Sequence, residues 1–323
     1  MSNPFSSRSA AVIGGGTMGT DIAAIFIAGG WEVHLVEPLR ERWPAALARI
    51  RQSAAQLEML PADILPAGIP LAAEKMPVNM VAMIGELPWQ ALGIVIECIP
   101  EILELKQALF AEMERIAPAH LPLASNSSSI PISDIGRGLT TRARMLGLHF
   151  FMPAHLVPAV EVIRGEATDP SLCAECSDLM RSLGKVPVNV KKDIPGFLAN
   201  RLQHALAREA FALIDAGLAS AEDVDAAVRF GFGLRYLAAG PVLQKDIAGL
   251  DIHFAAAQTM YPSLAKNSVP SSTLSDKVAA GKLGMKTGEG FYKWTPESAA
   301  KEKARYEQAL LDALKLLKPD MPS

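Results

Sequence analysis

Three glycines, Gly14, Gly16 and Gly19, stand in the pattern GxGxxG directly after the apolar run Ala10-Ala-Val-Ile13. In that setting the first makes a tight turn, the second lets backbone approach a pyrophosphate, and the third lets a helix pack close to a strand. Thr17 and Met18 would then lie at a helix N-terminus that faces phosphate, and they join the three glycines as expected cofactor contacts. Glu37 follows Gly19 by 18 residues (37 − 19) and closes the run Trp31–Glu37. A carboxylate there accepts both ribose hydroxyls and repels a 2′-phosphate, so NAD is the expected cofactor. Arg40 and Arg42 would approach a 2′-phosphate only if their loop bent back. Oxidising a secondary alcohol also needs a base for the hydroxyl proton. His149 is the natural candidate, and Glu161 follows it by 12 residues (161 − 149). Two adjacent strands would bring that acid onto the imidazole, fixing its tautomer and stabilising the imidazolium. A lone histidine at a strand end would otherwise be a packing residue.

The elements that must position these groups are readable as alternating strands and helices. Residues 10–13 read as a strand, Met18 to Gly29-Gly30 as a helix, Trp31–Glu37 as a second strand, and Arg40 to about Leu60 as a helix. Prolines at 61, 66, 70 and 77 prevent that helix from continuing. Further strands are expected at 78–84, 93–98, 121–125, 145–150, 160–163 and 186–190, with helices at 101–117 and 170–184. This alternation predicts an α/β domain with a doubly wound, largely parallel Rossmann-type sheet over residues 1–192. From 193 to 323 the pattern is helical throughout. Leu198, Leu202, Leu206, Ala210 and Leu213 fall at helical spacing before Gly217, Ser220 and Asp223 form a capping pair, and Thr295-Pro296 opens a final helix through Leu317.

Composition narrows the function classes. The chain has 323 residues, 50% hydrophobic and 20% charged, enough for two domains with substantial cores. A net charge of −3 argues against a broad nucleic-acid or anionic-membrane surface. No apolar run reaches the ~18 residues of a membrane span, and no signal-peptide pattern opens the chain. Three cysteines make no disulfide framework, so a cytoplasmic location is expected. Cys173 and Cys176 read as packing residues, His155 as a loop histidine, and no His or Cys spacing implies a metal.

Six segments then line up in order and spacing. They are Glu101-Ile-Leu-Glu-Leu-Lys106, Ser125-Asn-Ser-Ser-Ser129, Gly147-Leu-His-Phe-Phe151, Glu161-Val-Ile163, Pro195-Gly-Phe-Leu-Ala-Asn200-Arg201 and Lys286-Thr-Gly-Glu-Gly-Phe-Tyr-Lys-Trp294. Together they resemble the 3-hydroxyacyl-CoA dehydrogenase family from about residue 10 to 294. The resemblance implies a Rossmann domain followed by a helical domain that dimerises, a small-molecule substrate, and a place in fatty acid metabolism. It implies the same His149 and Glu161 pair, with Ser128 and Asn200 hydrogen-bonding the substrate oxygen. It also implies cofactor contacts from Glu101, Lys106, Ser128 and Lys286. On the residues alone, Ser128 would be part of a serine-rich turn, Asn200 a helix-surface amide, and the three charged residues solvated.

Three departures from the family bear on the substrate. Met152 stands where acyl-CoA members carry a cofactor-contacting Asn. Gly231–Pro241 is a longer form with Arg235-Tyr236 and is similar to the branch containing L-gulonate 3-dehydrogenase and carnitine dehydrogenase. Those enzymes act on free 3-hydroxy acids, and Arg235 offers a bidentate fork for a carboxylate; the other reading is a surface arginine at a helix end. Residues 52–74 contain no Lys or Arg, where acyl-CoA members supply a Lys for the nucleotide of CoA. Arg49, Arg51 and Lys75 flank that gap. The expected function is NAD-dependent oxidation of a 3-hydroxyacyl-CoA such as 3-hydroxybutyryl-CoA. The alternative is a dehydrogenase of a free 3-hydroxy acid; from a different class, a non-catalytic NAD-binding structural protein is the remote one.

Overall fold

A computed structural model describes Phe5 and residues 7–58 and 76–321. Contacts divide the chain into two compact units, the first running through Asn200 and the second over Arg201–Pro319.

The first unit is built on one eight-stranded sheet, with β1 at Ser9–Ile13, β2 at Glu32–Val36, β3 at Val78–Val81 and β4 at Ile94–Glu97. β5 covers Leu123–Ser125, β6 Met145–Phe150, β7 Ala159–Ile163 and β8 Val186–Val190. Their order across the sheet is β3-β2-β1-β4-β5-β6-β7-β8. The helices of this unit are α1 at Thr17–Ala28, α2 at Trp43–Glu58, α3 at Leu103–Ile116, α4 at Ile132–Ile135 and α5 at Pro170–Ser182. Ala10, Ala11 and Val12 of β1 and Ile94, Val95 and Ile96 of β4 are fully buried. Central strands of a parallel sheet are covered on both faces, which explains continuous apolar runs in place of alternation. Phe110 and Met113 of α3 belong to the same core as Ala11, Ile13 and Val95.

One pairing in the sheet is antiparallel. β6 runs against β7, with His149 opposite Glu161. A parallel crossover needs about a dozen residues or more, and the segment 151–158 that joins the two strands is too short for one. Other differences from the expected elements also have local causes. α2 begins at Trp43, after a single 3₁₀ turn over Arg40–Arg42, because Pro44 suits a first helical turn and not an interior. The strand expected from 121 starts at Leu123, since Pro122 has no N–H for the ladder. The helix expected to reach Leu60 is described to Glu58; its remainder, the proline-rich stretch and Lys75 lie outside the described residues.

The first unit also extends past the expected boundary at 192. Ser133 N–H donates to Asp193 at 2.6 Å, Gly196 N–H to Ser129 at 3.2 Å, and the N–H groups of Leu198 and Ala199 to Glu161. These bonds hold residues 193–200 to the sheet domain.

The second unit is helical. Its elements are α6 at Ala199–Asp215, α7 at Ala221–Ala226, α8 at Gly233–Arg235 and α9 at Pro241–Ala248. α10 at Leu250–Met260, α11 at Ser272–Ala279 and α12 at Pro296–Leu317 follow. Ser220 and Asp223 form the expected capping box, and Thr295 caps α12 with Pro296 at its first position. No helix among the described residues is long and apolar enough to cross a membrane.

Candidate active site

The glycine turn separates three physical demands among three glycines. Gly14 has φ 113°, and a Cβ there would meet the Cys98 carbonyl oxygen at 2.8 Å. At Gly19 a Cβ would stand 1.9 Å from the Gly14 oxygen, whereas at Gly16 nothing lies within 4 Å. The space above Gly16 is therefore open, and no side chain caps the N-terminus of α1 formed by Thr17 and Met18. Uncapped first-turn N–H groups beside an open glycine suit a pyrophosphate. Glu37 is buried, and its Oε2 lies 2.9 Å from where a Cβ on Gly15 would be. Its Oε1 accepts from Leu39 N–H at 3.0 Å. The guanidinium of Arg40 sits over the Trp43 ring at 5.2 Å, a stacking partner of its own. These residues fit NAD.

At the end of β4, Glu97 and Lys106 form a fully buried ion pair at 2.7 Å. Glu97 also accepts from Ser125 Oγ at 2.6 Å and Ile99 N–H at 2.7 Å. Lys106 Nζ stands 3.4 Å from Glu101 Oε2. Glu101 in turn gathers the serine turn: its Oε1 accepts from Ser127 Oγ at 2.8 Å and from the N–H groups of Ser128 at 2.9 Å and Ser129 at 2.8 Å. Burial pushes the Glu101 carboxyl up, but the bonds from Ser127 and Ser129 and the Lys106 charge outweigh it and bring its pKa to about 2. Lys106 is thus no solvated helix-face charge; it is a buried cation that ties Glu97 to Glu101. Asn200, on the first turn of α6, donates its amide to the Ser128 carbonyl at 2.9 Å.

β6 and β7 bring His149 and Glu161 together as cross-strand partners. His149 Nδ1 lies 2.7 Å from Glu161 Oε2, with both side chains buried. The other oxygen, Oε1, accepts from Leu198 N–H at 3.1 Å and Ala199 N–H at 2.8 Å. Burial raises the Glu161 pKa, and the His149 bond and these two N–H donors more than reverse it, so the carboxyl is held below its ordinary value. An ionised carboxylate accepts a hydrogen bond from Nδ1–H, which leaves the lone pair on Nε2. The imidazole is flanked by Phe151 at 4.5 Å and Phe197 at 6.0 Å between ring centroids.

Phe197 has φ 49° and follows Gly196 at 75°, a left-handed pair that costs a phenylalanine about 1 kcal/mol or more. The turn delivers the Leu198 and Ala199 N–H groups to Glu161. Sequence reasoning assigned a role in this stretch to Asn200 alone, and it missed Glu97, Ser125 and Asn126, whose Oδ1 accepts from Phe150 N–H at 2.9 Å. A charged residue closing the apolar strand Ile94-Val-Ile-Glu97 was the available signal. His155, expected as a loop histidine, is buried at 4% exposure against Asp21 and Gln56. Cys173 and Cys176 sit on α5 with both thiols pushed up by burial. Met152 is 65% exposed. Arg235 ends α8 and Lys286 lies on the turn before Gly288; both are exposed residues of the second unit.

Comparison with known proteins agrees with this arrangement. Residues 9–194 match the family model of the 3-hydroxyacyl-CoA dehydrogenase NAD binding domain, and 196–294 that of its C-terminal domain. The chain belongs to the 3-hydroxyacyl-CoA dehydrogenase family. As a member it is an NAD-dependent dehydrogenase with a Rossmann domain and a helical C-terminal domain. It is 34% identical to a 5-formyl-3-hydroxy-2-methylpyridine 4-carboxylate 5-dehydrogenase of Mesorhizobium japonicum, covering 96% of this chain and 98% of the relative. It is 35% identical to human mitochondrial hydroxyacyl-coenzyme A dehydrogenase, over 88% of this chain and 90% of that one. A crystal structure of a 5-formyl-3-hydroxy-2-methylpyridine 4-carboxylic acid 5-dehydrogenase, described as an NAD+ dependent dismutase, superposes with a TM-score of 0.87 at 32% identity. It covers 97% of this chain and 99% of its own.

Proposed function

We propose that this dehydrogenase oxidises the 3-hydroxy group of a small-molecule substrate to a keto group with His149 as general base. The observation that carries the reading is the 2.7 Å contact between His149 Nδ1 and Glu161. His149 Nε2 takes the hydroxyl proton as the C–O bond becomes a carbonyl, and Glu161 stabilises the imidazolium that forms. The C–H electron pair leaves with its hydrogen as hydride, for which bound NAD is the acceptor. Gly14, Gly16, Thr17, Met18, Gly19 and Glu37 hold the cofactor. Glu101 and Lys106 order the turn that carries Ser128, and Asn200 fixes that turn from α6. Lys286 is proposed as a further cofactor contact on the family pattern.

A 3-hydroxyacyl-CoA is the first reading of the substrate. The second, a free 3-hydroxy acid with Arg235 binding its carboxylate, is favoured by one observation. Arg49 flanks the stretch without Lys or Arg, and its guanidinium is given over to buried Asp21 by two bonds of 3.1 Å. That leaves α2 with fewer cations for a nucleotide phosphate. The Mesorhizobium relative is likewise named for a pyridine carboxylate. NAD reduction should be measured with 3-hydroxybutyryl-CoA and with a panel of free 3-hydroxy acids, for the parent chain and for Arg235→Ala. A preference for free acids that Arg235→Ala abolishes establishes the second reading; turnover of the thioester unaffected by that substitution establishes the first.

The second unit is proposed to pair with a second copy of the chain. Helices α6 to α11 contain no buried residue, although their sequences are amphipathic. Large exposed apolar surface of this kind marks an interface.

A further inference from the structure

Apart from the His149–Glu161 pair, the first unit buries a second ionisable cluster that the proposed reaction does not use. Asp21, on α1 four residues beyond Thr17, is fully buried. Arg49 of α2 grips both of its oxygens at 3.1 Å, and Ser53 Oγ donates to Oδ1 at 2.9 Å. His155 brings Nδ1 to 3.3 Å from Asp21 Oδ2 and Nε2 to 2.5 Å from Gln56 Oε1. The ring thus stands between the two helices, hydrogen-bonded to Gln56 of α2 and within ion-pair distance of Asp21 of α1. Lys185, just before β8, completes the cluster. Its Nζ lies 2.7 Å from the carbonyl oxygen of Ala154, 3.2 Å from that of His155 and 3.1 Å from that of Val157. The nitrogen thus lies within hydrogen-bond distance of three carbonyls of one segment.

These contacts converge on residues 151–158, which have no regular structure of their own. The segment joins β6, which carries His149, to β7, which carries Glu161. Whatever fixes it therefore fixes the closure of the strand pair that sets the 2.7 Å catalytic contact. Its other anchor points are α1, which starts at the glycine turn, and α2. Burying Asp21 with Arg49 and His155 against it, and the Lys185 amine on nearby carbonyls, is expensive in desolvation, and apolar residues of similar volume often stabilise a fold as well or better. The cluster is therefore better explained by where it holds the segment than by stability.

We infer that Asp21 and His155 are positioning residues: together they hold segment 151–158 on α1 and α2 and so keep the His149 imidazole aligned with Glu161. The inference rests on the reading of His149 as the base. A displacement of about 1 Å at a reacting group costs up to about 100-fold in rate, so partial loosening through a connecting segment should cost about tenfold.

The test compares Asp21→Asn, His155→Gln and the double variant as full chains, with kcat, NADH affinity by fluorescence titration and thermal melting measured for each. Each single variant is expected to lose about tenfold in kcat, to keep NADH affinity within about twofold, and to melt cooperatively. The double variant should lose no more than the worse single one, because both remove the same link. Unchanged kcat with only a lower melting temperature would overturn the inference, as would losses that multiply in the double variant. Should Asp21→Asn fail to fold, Gln56→Leu removes the acceptor at Nε2 and leaves Asp21 in place. It is expected to lower kcat by about twofold to threefold, and an unchanged kcat again rejects the link. His149→Asn serves as the control. If it stays active, the base assignment itself fails; if it is inactive while His155→Gln is unaffected, this inference alone fails.

Discussion

In the first unit Ala10, Ala11 and Val12 of β1 and Ile94, Val95 and Ile96 of β4 have no exposed surface, whereas in the second Val242, Ile247 and Phe254 stand 78%, 73% and 65% exposed. The two units use their apolar residues differently. The sheet domain closes its own core around the glycine turn and the His149–Glu161 pair. The helical unit buries Leu311 and Leu314 of α12, and the exposed apolar residues of its other helices are the surface proposed above to pair with a second copy. One unit covers the apolar faces of its central strands; the other leaves large apolar side chains exposed.

Core truncation should separate the two most sharply. Ile96→Ala is expected to cost about 2–5 kcal/mol in chemical denaturation, the range for a fully buried aliphatic residue. Ile247→Ala should change the stability of the isolated chain by less than about 0.5 kcal/mol. Comparable losses at both positions in a chain shown to be monomeric would remove the contrast. Next in size, Gly19→Ala places a Cβ where only 1.9 Å separates it from the Gly14 oxygen. Overpacking of this kind costs about 1–3 kcal/mol, so NADH affinity should fall by about tenfold or more. Unchanged binding would disprove the glycine turn as the cofactor cradle. Ile247→Asp, paired with Phe254→Asp, should shift a sedimentation profile toward monomer while leaving the melting of the sheet domain intact; an unaltered profile would place the interface elsewhere.

The smallest effects are in pH dependence. Lys185 is brought by burial from its ordinary 10.5 down to about 7, with Asp21 opposing the shift. Between those values the unfolded chain holds a proton that the folded chain has released, so stability should rise as pH increases from about 7 toward 10.5. Lys185→Met should flatten that limb. Glu101 behaves in the opposite range, because its pKa falls from 4.5 to about 2. Its contribution is present above 4.5 and is lost as pH drops toward 2. Glu101→Gln should weaken the acid limb of a melting series, and an identical limb would show that the serine turn does not depend on the carboxylate.

Much of this was legible in the sequence because local signals carried it. The three glycines, the capping pairs and the apolar strands are short-range patterns, and β6 and β8 have the boundaries their residues imply. The His149–Glu161 pairing needed only the assumption of adjacent strands, although the antiparallel direction depended on the length of segment 151–158. What was not legible is long-range polar partnering. Lys106 reads as a helix-face charge until Glu97, nine residues earlier in sequence (106 − 97), meets it inside the core. His155 reads as a loop residue because Asp21 and Gln56, its partners, are brought in by helices over a hundred positions upstream in one case and nearly so in the other. Phe197 could not be expected in the left-handed region, since nothing local favours it there.

The account turns on His149 as the base held by Glu161. The direct measurement is the single-turnover rate of NADH formation by the parent chain, His149→Gln and Glu161→Gln, each saturated with NAD and with whichever 3-hydroxy compound the parent turns over. The account predicts a loss of about 100-fold or more for His149→Gln and a clear but smaller loss for Glu161→Gln, with NADH affinity preserved in both. A His149→Gln rate within a few-fold of the parent would contradict it.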